Sequence, residues 1–369
     1  MTAINGKSVA LVNDSPLNVG ITSYIQDLYR GLKQSGVNVT LYQFLPRGMD
    51  NWFPGDGKPV YGFHFPIRKV SLELNQITGM NVRMTKGINA DLVHLSNPAL
   101  IPAKRGKKNI TVTVHDMYHL TVNHKWLPKS FFNIRWYERI ELIDRIIAVS
   151  QFTKSEIIKF LGISPGRISV VYNSVETDYF TPQKSNFRAV IGLNPEDNVL
   201  LNVGRDQPNK NMGLLYRSLA KLPQNFKLIR IGKNSAESFR LSTEMGLSSR
   251  IIFMENPSRS ELREAYRISD IYVQPSFYEG FGRPLVEAMS CGVPVISSGF
   301  SALPEVVGDA GIILRNLSVE ELVSRIHEIC DTDIRDSLID RGIKRASEFS
   351  TGNNIPDILK AYESVLSLD

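Results

Sequence analysis

Ile271-Tyr272-Val273, followed by Glu279-Gly280-Phe281-Gly282-Arg283-Pro284-Leu285-Val286-Glu287 and Ala288-Met289, is the stretch whose reading decides the fold. The three apolar residues read as a buried parallel strand. Pro284 suits the first turn of a helix that Ala288 and Met289 continue. Gly280 and Gly282 let the backbone approach a ligand without side chains in the way. The new helix directs its free N–H groups at whatever sits there, which favours an anion such as a diphosphate. Glu279 and Glu287 flank the turn and can accept hydrogen bonds from sugar hydroxyls. The alternative is a turn acid plus a solvated helix face. Against it, Glu279 falls at the carboxyl end of a strand, where open α/β sheets bind ligands, and Gly-Phe-Gly follows it instead of a polar loop. The combination points to a nucleotide-sugar site.

Outward from this stretch, short apolar runs alternate with helical ones. In the first half, strands are expected at residues 8–13, 37–44, 91–95, 110–114 and 145–149. Helices are expected at 21–34, 129–142 and 152–161, the first stopped by Gly36 and the last by Gly162. Residues 46–69, rich in Pro, Gly and aromatics, read as a loop excursion. Residues 172–195 lack a period and read as an interdomain linker. A second series follows, with strands at 199–203, 226–231, 250–253, 271–273, 293–297 and 311–314. Its helices fall at 211–221, 236–245, 260–268, 319–329, 334–349 and 355–367. Such alternation argues two doubly wound α/β domains, residues 1–180 and 181–354, with a cleft between them.

The composition fits that reading. A chain of 369 residues can bury two cores, and 42% hydrophobic with 22% charged residues is ordinary for a soluble globular protein. Two distant cysteines, Cys291 and Cys330, argue against a disulfide framework or a zinc site. The absence of an 18-residue apolar run argues against a membrane span. Met1 to Val9 lacks the basic-then-apolar order of a signal peptide, so a cytoplasmic location is expected. Residues 1–180 hold 21 Lys and Arg against 13 Asp and Glu, and residues 181–369 hold 22 against 24, giving the net +6. This asymmetry suggests an anionic partner for the first half, such as a lipid-linked acceptor or a membrane surface contacted peripherally. No recognised motif supports nucleic acid. The basic run Lys104-Arg105-Gly106-Lys107-Lys108 reads as a solvated turn or a contact for anionic headgroups.

Other residues carry candidate chemistry. Val203-Gly204-Arg205-Asp206-Gln207-Pro208-Asn209-Lys210-Asn211 ends the first strand of the second series. A planar fork at Arg205 and a point charge at Lys210 suit a diphosphate and would stabilise a departing nucleoside diphosphate. Asn18-Val19-Gly20 closes the first βα loop, where Gly20 would bring a helix N-terminus toward phosphate. This is not G-x-G-x-x-G, so a dinucleotide fingerprint is absent. His115-Asp116 follows a buried strand; His115 could bond a sugar or phosphate, and Asp116 could orient it or reach an acceptor hydroxyl. His119 and His124 lie close by in sequence without a metal-ligand spacing. For each of these segments a solvated or structural turn is the competing reading.

Taken together, the chain resembles the retaining glycosyltransferases of the GT-B fold in the GT4 family. The resemblance spans nearly the whole chain. It rests most on residues 203–211 and 271–314, including Ser301-Ala302-Leu303-Pro304-Glu305-Val306-Val307-Gly308-Asp309-Ala310-Gly311. It also rests on Thr113-Val114-His115-Asp116, Ile147-Ala148-Val149-Ser150 and Asn173. It implies two Rossmann-like domains facing each other across a cleft, with a final helix, residues 355–369, packed back on the first. It implies that Glu287 binds the ribose, Glu279 a donor-sugar hydroxyl, and Arg205 and Lys210 the diphosphate. Backbone N–H groups around Gly280, Phe281 and Gly282 would complete the donor cradle. Gly20 would close on the phosphate, and His115 would contact the donor sugar or phosphate. Transfer would proceed with retention and without a bound metal or other cofactor. Two departures stand out: Val19-Gly20 replaces a common Gly-Gly, and Arg283 stands where an apolar residue is common.

The expected activity is transfer of a hexose from a UDP- or GDP-sugar to a glycan or lipid-linked acceptor, as in polysaccharide or glycoconjugate synthesis. The alternatives are a nucleotide-sugar epimerase on the same fold and a non-catalytic glycan-binding relative.

Overall fold

A computed structural model of the chain describes residues 4, 6–13, 20–45, 58–61, 88–101, 109–121, 137 and 139–367. It divides into two compact units, Met1–Ser174 with Thr351–Asp369, and Val175–Ser350. The change-over falls at Ser174/Val175, not at 180/181. The reason is local: Val175 bridges Ser350 in parallel, and its N–H donates to the Phe349 carbonyl at 2.9 Å. Much of the segment read as a linker also belongs to the second unit, since Phe180 and Phe187 are buried, Phe180 edge-on to Tyr266.

The first unit is built on β1 (Ser8–Asn13), β2 (Asn38–Leu45), β3 (Lys58–Tyr61), β4 (Leu92–Leu95), β5 (Ile110–Val114), β6 (Arg145–Ala148) and β7 (Ile168–Val170). They pair in the order β3-β2-β1-β4-β5-β6-β7, all parallel. Successive residues of β1 enter two different cores. Val9 and Leu11 pack on one face, and Ala10 and Val12 on the other. A strand covered on both sides is apolar along its length, which is why β1 reads as an unbroken run over residues 9–12. Helix α1 (Gly20–Gln34) places Tyr24, Ile25, Leu28 and Leu32 on one stripe and ends where Gly36 turns to φ 76°. The single turn α2 (Tyr118–Thr121) follows β5. Helix α3 (Gln151–Leu161) starts on Ser150, whose Oγ accepts the Thr153 N–H, and stops at left-handed Gly162.

Two expectations change here. The excursion at 46–69 contains β3, a short edge strand in which Pro59 costs little because edge strands leave N–H groups unpaired; the rest of that stretch lies outside the described residues. Most of the helix expected at 129–142 also lies outside them. Its described end, Ile140–Leu142, is one 3₁₀ turn. The basic run 104–108, residues 18–19 and His124 are likewise outside.

In the second unit α4 (Phe187–Val190) precedes β8 (Asn198–Val203), α5 (Met212–Lys221), β9 (Phe226–Ile231), α6 (Ala236–Glu244), β10 (Ile251–Met254) and α7 (Arg259–Arg267). Then come β11 (Ile271–Gln274), α8 (Arg283–Ser290), β12 (Val295–Ser298), α9 (Leu303–Val307), β13 (Ile312–Leu314), α10 (Val319–Ile329) and α11 (Thr332–Glu348). The parallel sheet runs β10-β9-β8-β11-β12-β13. Neighbouring β8 and β11 send their chains outward in opposite directions. Their carboxyl ends therefore open a crevice, the topological switch point of a doubly wound sheet. The same arrangement occurs between β1 and β4 in the first unit.

The last helix, α12 (Thr351–Leu366), belongs to the first unit. Ile355, Ile358, Ala361, Tyr362 and Val365 join Ile25, Leu28 and Leu32 in one core. Gly31 makes the approach to α1 possible: a Cβ there would fall 2.6 Å from Ile355 Cδ1 and 2.7 Å from Thr351 Cγ2. We expect Gly31→Val to overpack this contact and cost about 1–3 kcal/mol, measured by denaturant unfolding. Unchanged stability would show that α12 docks without this close approach.

Candidate active site

In the second unit the crevice between β8 and β11 gathers most of the residues singled out from the sequence. The loop after β8 begins at Gly204, φ 139°, which lies against Gly232 at the end of β9. A Cβ on Gly232 would stand 2.2 Å from the Gly204 carbonyl oxygen, so the end of β9 has no room for a side chain there, while Gly204 is called for by its φ and not by space. Two hydrogen bonds stitch the β8 and β11 loops together. The Phe277 N–H donates to the Asn209 carbonyl at 2.7 Å, and Asn209 Nδ2 donates to the Tyr278 carbonyl at 2.9 Å.

Lys210 and Glu279, from these two loops, form a 2.6 Å ion pair with side chains only 22% and 12% exposed. Glu279 Oε1 also accepts from Gln274 Nε2 at 2.6 Å and Ser276 Oγ at 2.8 Å. The Tyr272 hydroxyl donates to Gln274 Oε1 at 3.0 Å, which turns the amide's NH₂ toward the carboxylate. The Glu279 N–H in turn donates to Ser301 Oγ, on the loop after β12, at 2.8 Å. All three side-chain donors converge on Oε1. Oε2 receives no hydrogen bond among the described residues and keeps its acceptor capacity. Arg205 is exposed and makes no hydrogen bond or ion pair among the described residues.

Helix α8 starts from Gly282, φ 100°, with no capping side chain and no acid in its first turn. Its first N–H groups and positive dipole end are therefore not matched by an acid of the turn. A Cβ on Gly282 would meet Leu303 Cδ2 at 2.8 Å. Gly280 and Phe281 are buried, and the Phe281 ring stacks edge-on to Phe349 at 5.4 Å. The Phe281 ring serves the core. Glu287, one helical turn beyond Arg283, is 92% shielded from solvent, with 8% exposed. Its Oε2 accepts from the Tyr266 hydroxyl at 2.9 Å, and its Oε1 stands 3.7 Å from Arg283 Nη2. Burial, with the Glu287 charge second, raises the Tyr266 hydroxyl well above its ordinary value, so it stays a donor. Arg283, unusual in the sequence, thus serves as the cation beside Glu287.

The first unit brings together a second group. Gly20 opens α1 at the carboxyl end of β1, and Tyr24, one turn on, lies edge-on to the His115 ring at 4.9 Å. His115 Nε2 lies 2.9 Å from the Ser96 carbonyl. A carbonyl only accepts, so Nε2 carries a proton and donates to it. Asp116 is held as a turn residue: Oδ1 accepts the Tyr118 N–H at 3.0 Å, and its carbonyl accepts from the Tyr137 hydroxyl at 3.0 Å. Behind them runs a buried chain that sequence reasoning missed. Tyr362 on α12 meets His94 Nδ1 at 2.6 Å, His94 Nε2 meets Thr113 Oγ1 at 2.7 Å, and Thr113 Oγ1 meets the Tyr24 hydroxyl at 2.9 Å. The one local signal was a histidine inside the apolar run Leu92–Leu95. Among the described residues no group of three His, Cys, Asp or Glu side chains is placed to hold a metal ion.

A doubly wound pair of units, with basic and acidic side chains converging at a switch point, defines the class as a GT-B protein. The match to known sequences agrees. The model described as Glycosyltransferase Family 4 matches residues 19–179, and that described as Glycosyl transferases group 1 matches residues 183–345. The chain belongs to this glycosyltransferase family. D-inositol 3-phosphate glycosyltransferase of Mycolicibacterium smegmatis is 30% identical over 237 residues, 62% of this chain and 54% of that protein. The protein of the same name from Mycobacterium tuberculosis is 30% identical over 241 residues, 62% and 50% of the two chains. The chain thus spans about half the length of the curated relatives it matches. Sucrose-phosphate synthase from Thermosynechococcus elongatus superposes with a TM-score of 0.83 at 19% identity, over 98% of this chain and 100% of that one. Anabaena Alr3699/HepE in complex with UDP and glucose gives 0.77 at 18% identity, over 96% and 98%. These likenesses establish the fold.

Two outcomes follow from the geometry. In a cycle of Lys210→Met, Glu279→Gln and the double variant, unfolding free energies should show a coupling of about 1–3 kcal/mol; a coupling near zero would mean an ordinary solvated pair. Burial first, and the nearby charge of His115 second, push His94 down from 6.5 to about 3. The unfolded chain therefore binds a proton that the folded one refuses. This group's contribution is intact above pH 6.5 and is lost as pH falls toward 3, by up to about 1.4 kcal/mol per pH unit. His94→Gln should flatten that limb of the stability profile; an unchanged slope would show that His94 is not the group refusing the proton.

Proposed function

We propose that the chain is a retaining hexosyltransferase that moves a sugar from a UDP- or GDP-sugar to a glycan or lipid-linked acceptor, in polysaccharide or glycoconjugate synthesis. The observation that carries this reading is the Glu279 carboxylate. One of its oxygens is saturated by Lys210, Gln274 and Ser276, and the other is kept for a ligand hydroxyl beside the uncapped start of α8. Arg205 and Lys210 hold the diphosphate, and the backbone at Gly280, Phe281 and Gly282 lies against it. Glu287, fixed by Tyr266 and Arg283, accepts the ribose hydroxyls. In the first unit His115 bonds the sugar or its phosphate, Asp116 holds the turn beside it, and Gly20 opens a helix toward phosphate. Solved neighbours in complex with UDP and with UDP-glucose support a uridine donor.

In this reading the bond from the anomeric carbon to the diphosphate oxygen breaks as the acceptor oxygen bonds the same face of that carbon. The departing phosphate oxygen takes the acceptor proton. Arg205, Lys210 and the helix N-terminus stabilise the charge that develops on the leaving group, a term commonly worth several kcal/mol. Cations in that position take the place of a metal, and no cofactor is needed. A phosphorylated polyol is a second acceptor class, favoured by the name of the mycobacterial relatives and by the cationic surplus of residues 1–180. That surplus also supports peripheral contact with an anionic membrane, at whose cytoplasmic face the chain would work.

Calorimetry with UDP, GDP and ADP, with and without EDTA, tests the donor site. One diphosphate should bind independently of metal, and Glu287→Ala should weaken it about tenfold or more. No binding by any of the three would remove the reading. Incubation with the nucleotide sugar alone separates the epimerase, which turns over without acceptor.

A further inference from the structure

We infer that Tyr362 and His94 are positioning residues, which act through Thr113 and Tyr24 to hold the His115 imidazole in its working orientation. Its functional half rests on the role proposed for His115 above; its structural half does not.

The residues lie in one path. His94 and Ser96 follow each other on one face at β4 and its end, and Thr113 and His115 do the same at β5 and its end, since alternate residues share a face. Tyr24 spans both steps on the β5 side. Its hydroxyl is anchored on Thr113 at 2.9 Å, and its ring lies against His115 at 4.9 Å. On the β4 side His115 is tied to the Ser96 carbonyl at 2.9 Å. The imidazole is therefore clamped between a carbonyl and an aromatic ring, and the ring's own position is set by a hydroxyl bond to Thr113. Thr113 is in turn bonded to His94, and His94 to Tyr362 on α12.

Stability alone does not call for this chain. His94, Thr113, Tyr24 and Tyr362 are all buried, and Tyr24 and Tyr362 belong to one largely aliphatic core. Leucine or phenylalanine could fill such space without leaving polar atoms to satisfy. What four mutually satisfied polar groups on β4, β5, α1 and α12 provide is a unique arrangement, because a shift of any one leaves a buried donor or acceptor unpaired. Neutral His94 fits the role: between two hydroxyls it offers one donor and one acceptor. The consequence is that the last helix, remote in sequence from His115, takes part in placing it.

Tyr362→Phe removes a single hydroxyl and keeps the ring that packs against α1, and Tyr24→Phe removes the other end of the chain. Both are made in the full chain. Histidine-labelled protein, with six imidazoles to resolve and the His115 signal assigned by His115→Gln, reports the ring's environment. We expect the His115 imidazole signal to move in both variants. We also expect kcat for sugar transfer, or for slow hydrolysis of the nucleotide sugar, to fall about tenfold, with KM for the nucleotide sugar within about twofold. A His115 signal that stays at its wild-type position in Tyr362→Phe, whatever the change in Tm, overturns the inference. So does a signal that moves while kcat holds. A wild-type protein that binds no nucleoside diphosphate refutes the donor assignment instead, and the imidazole signal still decides whether the chain positions His115.

Discussion

Strand β11 lies beside β8 in a wholly parallel sheet, and this pairing is the constraint from which the second unit's chemistry follows. Parallel strands have to be joined by crossovers, so the loops at their carboxyl ends all emerge on one edge. Because β8 feeds β9 on one side and β11 feeds β12 on the other, the two loops part and leave a crevice. Lys210 comes from one loop and Glu279 from the other. Their 2.6 Å ion pair, the Phe277–Asn209 bond and the Asn209–Tyr278 bond close the crevice floor.

The electrostatics of that floor are directional. A carboxylate in a partly buried place must be paired or hydrogen-bonded, and Glu279 meets that demand through one oxygen only. Arg205 remains exposed at the rim, while Arg283 is turned to Glu287. The crevice thus combines a held carboxylate, an outward cation and an uncapped helix start within one unit. That set suits a ligand carrying both hydroxyls and a diphosphate. The first unit solves a different problem: it holds an imidazole in a set orientation, using a carbonyl, a ring and a polar path through an otherwise aliphatic core.

How much of this was legible in the sequence depended on range. Most strands and longer helices of the second unit were readable because each is a local pattern, and Glu279, Glu287, Arg205 and Lys210 stood out because each follows a strand or lies in the helix start beyond it, whereas α4 was read as linker. The short strands β3 and β7 and the turn α9 were harder, having three to five residues and no room for a period. Gln274 and Ser276 lie within five residues of Glu279, yet nothing in their spacing shows that both point at the same oxygen. His94 showed only as a polar residue in an apolar run, since its partner Tyr362 lies 268 positions away.

The sequence by itself determined the alternation of strands and helices, the division into two α/β domains, the family, and the candidate side chains at the strand ends and helix starts. All of these rest on periodicity, turn chemistry and short motifs, which act over a few residues. Tertiary structure alone decided the rest. Lys210 and Glu279 are one ion pair and not two separate contacts. The ring of Phe281 belongs to the core, and Arg283 belongs to Glu287. The last helix reaches the histidine of β4. Each is a contact between segments far apart in the chain, and such contacts exist only after the crossovers have brought the strand ends to one edge and the final helix back onto the first.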